Sequence, residues 1–190
     1  MRKFFVLMFA CVLSLTVTAQ EHLTFKGIPI DGKLSTFINK LKSQGFSEKY
    51  TQEYSAILNG KFSGENCEVA VYASQNTKTV YKVVVVVEES NSWSSLKFTY
   101  KEFKSLLTSK YGKGSSYENF TSPYYDGDGY EMTALRTNRC TYFTEYNTNS
   151  GNISLIIGHL DEGAILLYYS DKFNSELAVQ EESNLRISDL

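Results

Sequence analysis

The chain predicts an α+β fold of two tandem units, each an amphipathic helix packed on an antiparallel β-meander. Three observations carry that expectation. Two segments, "IDGKLSTFINKLKSQGF" and "SWSSLKFTYKEFKSLLTSKYG", repeat apolar residues at helical spacing. Each is followed by strand-like runs divided by short polar turns. The halves also match locally: "FSGENCEVAVYASQNTKTVYKVVVVVEES" and "TNSGNISLIIGHLDEGAILLYYSDK" share a Gly/Asn turn, a strand, a polar turn and an apolar strand.

Residues 1–19 read as a signal peptide. Arg2 and Lys3 supply the positive start, residues 4–17 an apolar run, and Val17-Thr18-Ala19 a small-residue cleavage site. The run is shorter than the roughly 20 residues a membrane-spanning helix needs. Cys11 follows Met8-Phe9-Ala10, a poor lipid-attachment box. The expected product is exported, periplasmic or extracellular, and not inserted in a membrane.

The first unit covers residues 20–90. Leu34, Phe37, Ile38 and Leu41 form one helical stripe. Gly45 stands where a left-handed C′ residue belongs, with Phe46 placed to fold back on the last turn. Strands "YSAILNGKF", "NCEVAVYAS" and "TVYKVVVVVEE" follow. The Val83–Val87 run is apolar on both faces, so that strand should be central, covered on one side and partly covered on the other.

The second unit covers residues 91–179. Leu96, Tyr100, Phe103, Leu107 and Tyr111 keep the helical period, and Gly112 closes the helix. Its start reads either at Ser92 or at a capping box formed by Thr99 and Glu102. After an irregular Gly- and Ser-rich stretch come four strand candidates, "GYEMTALRT", "CTYFTEYNT", "GNISLIIGHL" and "GAILLYYSD". Residues 180–190 read as a polar tail, with order ending near Val179.

The 19 basic and 21 acidic residues give a formal net charge of −2, and losing Arg2 and Lys3 shifts the balance further toward acid. That balance does not point to nucleic acid as a partner. Cys67 and Cys140 remain after cleavage and permit one intramolecular disulfide. Alternation puts each on a strand, and nothing in the sequence makes those strands neighbours, which favours free thiols. No CxxC spacing supports zinc or redox chemistry.

Tandem helix-plus-meander units in a small exported chain resemble the β-lactamase-inhibitor-protein architecture. More specifically, "FKGIPIDGKLSTFINKLKSQGF", "SWSSLKFTYKEFKSLLTSKYG" and the closing "SDL" are similar to a family of uncharacterised secreted proteins from Bacteroides-type bacteria. That family carries no catalytic residues across, and the inhibitor likeness implies a fold, not a target.

The stretch "SPYYDGDGYE" is the one that most looks like chemistry. With Asp126 at position 1 of a calcium loop, Asp128 fits position 3. Tyr130 and Thr137 then occupy positions that need oxygen ligands. The stretch reads mainly as a turn, with Asp126 and Asp128 a weak calcium alternative. Tyrosine is abundant, at 14 residues. Tyr142 and Tyr146 read as strand filler. The glycine-flanked Tyr124, Tyr125 and Tyr130 are candidates for an exposed recognition loop.

Other chemistry finds little support. His22 reads as frayed or at the edge of the first strand, and His159 as a surface imidazole at a strand end. Cys140 with His159 is a formal nucleophile pair without an activating neighbour. Glu88 and Glu89 are adjacent strand residues that point to opposite faces, so they do not flank one bond. "YGKGSS" follows a helix and does not lead into one, unlike a phosphate loop. The expectation is a non-enzymatic protein-binding or inhibitor-like module, without cofactor or metal, acting on a protein partner through its open sheet face and its tyrosine-glycine loop. An envelope-assembly component is the second reading, and a hydrolase the third.

Overall fold

A computed structural model describes residues 21–188; the expected signal peptide lies outside them. Two short strands, β1 (Thr24–Phe25) and β2 (Ile28–Pro29), form a hairpin that carries Phe25 and Ile28 into the core. Helix α1 (Leu34–Ser43) buries Leu34, Phe37, Ile38 and Leu41, the stripe read from the sequence. It ends in a Schellman turn. The Phe46 amide donates to Leu41 O at 3.2 Å and the Gly45 amide to Lys42 O at 3.1 Å. Gly45 has φ 91°, which a side chain would strain, and the Phe46 ring is buried beyond it.

Strands β3 (Ser47–Thr51), β4 (Ser55–Phe62), β5 (Glu65–Ala73) and β6 (Val80–Ser90) then run as a meander. Helix α2 (Trp93–Tyr111) follows. Ser92, and not Thr99, is its N-cap, with the hydroxyl accepting from the Ser95 amide at 3.4 Å. The chain continues through β7 (Ser115–Phe120), α3 (Glu131–Arg136), β8 (Cys140–Thr148), β9 (Gly151–His159) and β10 (Gly163–Asp171), and α4 (Lys172–Ser188) closes it.

The eight long strands make one antiparallel sheet in the order β3-β4-β5-β6-β10-β9-β8-β7. The valine-rich β6 is therefore interior, paired with β5 and β10. Helices α1 and α2 lie on the same face. Their buried residues form a single cluster with Leu58, Val69, Val85, Leu155 and Leu167. Tyr142 and Tyr146 are buried in this cluster, as filler. Trp93 and Tyr100 meet Tyr142 edge-on, at 5.0 and 5.6 Å.

Several expectations are corrected. "GYEMTALRT" is not a strand: Glu131–Arg136 is a short helix, with Ala134 N–H donating to Tyr130 O at 2.9 Å. Ala134 and Leu135 are adjacent and both buried, which helical packing permits and a one-sided strand does not. The fourth strand of the second half is instead β7, inside the stretch read as irregular. Strand β3 was not expected either. The tail from residue 180 is helical to Ser188. Its anchor is Glu181, whose carboxylate accepts from the Asn76 amide at 2.8 Å and the Thr77 hydroxyl at 2.7 Å, in the turn between β5 and β6.

His22 is not frayed. Its Nδ1 lies 3.2 Å from the carboxylate of Asp171, which is wholly buried at the end of β10. Cys67 and Cys140 are free and buried. They sit on β5 and β8, separated by three intervening strands. Four strand spacings put them about 19 Å apart, far beyond disulfide reach.

Candidate recognition surface

Two surfaces group aromatic residues: the tyrosine-glycine loop and the sheet face opposite the helices; Phe98 of α2 and Phe173 of α4 are exposed singly. The loop is closely tethered. Asp126 accepts from the Trp93 indole N–H at 3.3 Å and forms an ion pair with Lys97, which holds its carboxyl below the ordinary range. The Asp128 carboxylate accepts from the amides of Tyr125, at 3.0 Å, and Tyr130, at 2.7 Å, and Glu131 accepts from the Gly127 amide at 2.8 Å. These carboxylates serve the turn itself. No group of three or more His, Cys, Asp or Glu side chains that could hold a metal occurs among the described residues.

Within the loop the three candidate tyrosines separate. Tyr124 is half-buried and packs against the core, which corrects its placement on the surface. Tyr125 and Tyr130 are 65% and 63% exposed. Because the loop is tied to the first turns of α2, it belongs to the helix-bearing side. The structure does not bring it together with the open sheet face.

That open face is built by strand alternation. Val83 and Val85 point to the helices, so Val84 and Val86 point away. One row crosses the sheet through Ile57, Ala70, Val84 and Tyr168. The next runs through Glu68, Val86, Leu166, Ile156, Phe143 and Tyr117. Val84 and Leu166 are only 8% and 6% exposed, yet neither joins the core cluster. Their cover on this side is the side chains of neighbouring strands. Among the described residues α4 is in contact with β6 and also with β10 and β9, at the end of the sheet where β6 begins and β10 ends.

The charges on this face are divided. At the α4 end, the Lys82 ammonium lies 4.8 Å from the Tyr72 ring centroid and 5.5 Å from that of Tyr81. Burial pushes this ammonium below the usual lysine range, and among the described residues it has no carboxylate partner. Burial also raises the neighbouring Tyr168 and Tyr81 hydroxyls, with Tyr72 adding to both. A groove of about 310 Å³ runs beside Tyr72 and Tyr81 toward Ala178 and Val179 of α4. At the opposite end a 690 Å³ depression is lined by Glu68 and Glu89 together with Lys61. The arrangement is an apolar centre with Lys82 at one end and a mixed-charge depression at the other, where Glu68 is paired with Lys49.

The reactive pairs weighed in the sequence have different surroundings. Cys140 and His159 do line one depression of about 360 Å³. Burial, helped by Asp126 and Glu131, pushes the Cys140 thiol up to about 12, so it stays protonated near neutral pH. His159 is exposed, and no carboxylate among the described residues meets it. Glu88 turns toward the helices, accepting from the Ser95 hydroxyl at 2.5 Å, while Glu89 is exposed. Lys82 and the valine rows were not singled out as a site from the sequence. The signal that could have found them is the two-sided apolar run of β6.

No helix among the described residues is long and apolar enough to cross a membrane. No protein-family model, curated protein or solved structure matches the chain.

Proposed function

We propose that the chain is an exported, non-enzymatic protein-binding module, inhibitor-like in architecture, whose open sheet face seats a partner protein. The observation that carries this reading is the uncovered face itself. It sets aliphatic rows beside Phe143 and Tyr168 and flanks them with a desolvated Lys82 that has no carboxylate partner among the described residues. Aromatic side chains are what protein interfaces concentrate in their cores, and Lys82 adds a charge at the margin that a carboxylate can meet. The fitting occupant is a protein segment with an apolar ridge and a carboxylate placed to meet Lys82.

The fold is further read as two repeats, residues 20–90 and 91–179, joined where β6 pairs with β10. The symmetric strand order supports this, since in each half a buried-stripe helix precedes four strands of which the last, β6 or β10, is central; the β1–β2 hairpin and α4 fall outside that repeat. The resemblance to the β-lactamase-inhibitor-protein architecture rests on the same layout, and that to secreted Bacteroides-type proteins on the two helical blocks and the closing "SDL".

Ile156 is half-exposed at the centre of the open face, and Phe98 is an exposed residue of α2 on the far side. Ile156→Glu is expected to reduce retention of a partner from envelope extract at least about tenfold, since burying an unpaired charge opposes binding. Phe98→Glu, and Tyr125→Ser with Tyr130→Ser, should leave retention unchanged. Equal retention by Ile156→Glu and the unmodified chain would remove the open face from the account.

A further inference from the structure

The sheet has two edges, and they are built differently. At β3 the register slips between Glu48 and Tyr50, so Lys49 is an extra, bulged residue. Glu48 pairs with Lys42 and Lys49 with Glu68, which surrounds this edge with fixed charge. Short length, a bulge and charges are the devices by which natural sheets refuse a further strand.

Strand β7 is also short, at six residues against five, but it has no bulge and no uncompensated charge. It pairs with β8 in unbroken register from Ser115↔Glu145 to Phe120↔Cys140. It contains no proline, and its single charge, Glu118, is neutralised by Lys104 at 2.6 Å. Every residue from Ser115 to Asn119 is exposed, and among the described residues nothing pairs with the outer side. Its position is nevertheless firm. The Ser116 hydroxyl contacts that of Thr144 at 2.9 Å, which in turn meets Tyr100 of α2 at 2.6 Å.

The hydrogen-bonding direction of the edge follows from the next residue. The Thr121 amide donates to Arg139 O at 2.7 Å, toward β8. In an antiparallel ladder the inward and outward residues alternate. Asn119, Tyr117 and Ser115 therefore bond to β8, and Phe120, Glu118 and Ser116 present their amides and carbonyls to the open side.

We infer that this edge docks a second copy of the chain, β7 against β7 in antiparallel register centred on Tyr117, joining two eight-stranded sheets into one. The chemistry selects that register. Centring on Tyr117 places outward-facing Ser116 opposite outward-facing Glu118 of the other copy, twice, so both pairs exchange backbone hydrogen bonds. It also sets the two Tyr117 rings side by side at a position with close side-chain approach; Tyr117 is 57% exposed in the single chain. Centring on Glu118 would instead oppose two like charges. Across the axis the rows Phe143–Tyr117 of the two copies become continuous, so dimerisation extends the open face. The inference stands apart from the partner proposed above, since it rests on the edge and not on the face.

The test is sedimentation of the chain from Gln20, which holds the whole described fold, between about 1 µM and 500 µM. A concentration-dependent dimer is expected, and Tyr117→Lys, a change at an exposed position, should raise its dissociation constant at least about tenfold by opposing two ammonium groups. Register is read by cysteine cross-linking. Opposed non-hydrogen-bonded residues have Cα atoms about 4.5 Å apart, within disulfide range. Tyr117→Cys should therefore form a covalent dimer under mild oxidation much faster than Tyr50→Cys on the β3 edge. A monomer throughout the range, a dimer indifferent to Tyr117→Lys, or equal cross-linking of the two cysteine variants overturns the inference.

Discussion

Raising the pH from 8 to 10.5 is expected to remove about 4 kcal/mol of folding stability through the two thiols alone. Burial pushes Cys67 up to about 11 and Cys140 up to about 12. An unfolded thiol ionises near its ordinary value of about 8.5–9. Below that value both states are protonated and the contribution is fully present. Above it the unfolded chain releases protons that the folded chain keeps, so stability falls with rising pH until about 11 to 12, where the folded thiols ionise too. Tyr100 and Tyr169 are raised by burial in the same sense and steepen the loss above about pH 10. Urea midpoints at pH 8, 9, 10 and 10.5 measure the slope. A flat profile would mean that the two thiols are not held in the apolar interior.

Asp171→Ala is expected to cost about 3–4 kcal/mol. The carboxylate is wholly buried and accepts three contacts: the Leu23 amide at 2.8 Å, the Asn174 amide at 2.9 Å and His22 Nδ1 at 3.2 Å. The second of these is the N-cap bond of α4. The first ties the N-terminal segment to the end of β10. Alanine leaves both amides without an acceptor in a dry site, each costing about 1–3 kcal/mol. Asp171→Asn keeps one acceptor oxygen and should lose about half as much. Denaturant unfolding of the two variants checks this order; a loss under about 1 kcal/mol for alanine would mean that water reaches the site.

The helices α1 and α2 were readable because each writes its buried stripe at 3.6-residue spacing and marks its end with a glycine. The interior position of β6 was readable from Val83–Val87, which has no polar alternation to give up. The edges were not. "SEKYT" and "SSYENF" are exposed on almost every residue, so neither face imposes a period of two, and only the neighbouring strand makes them strands. Helix α3 was misread because six residues are too few to show a helical period. The order of α4 past Val179, and that of His22, depend on Glu181 and Asp171, whose partners lie about 100 to 150 residues away. Glycine-flanked tyrosines mark the loop at residues 124–130 in the sequence itself. The open face could not be assembled before the register brought Lys82, Tyr72 and Tyr168 together.

The most direct test of recognition by the open face is site-specific photocross-linking in exporting cells, with the photoreactive residue placed in turn at Ile156, Phe143 and Phe98. One discrete protein adduct is expected from Ile156 and Phe143 and none from Phe98. Adducts from Phe98 alone, with both open-face positions silent, would contradict it.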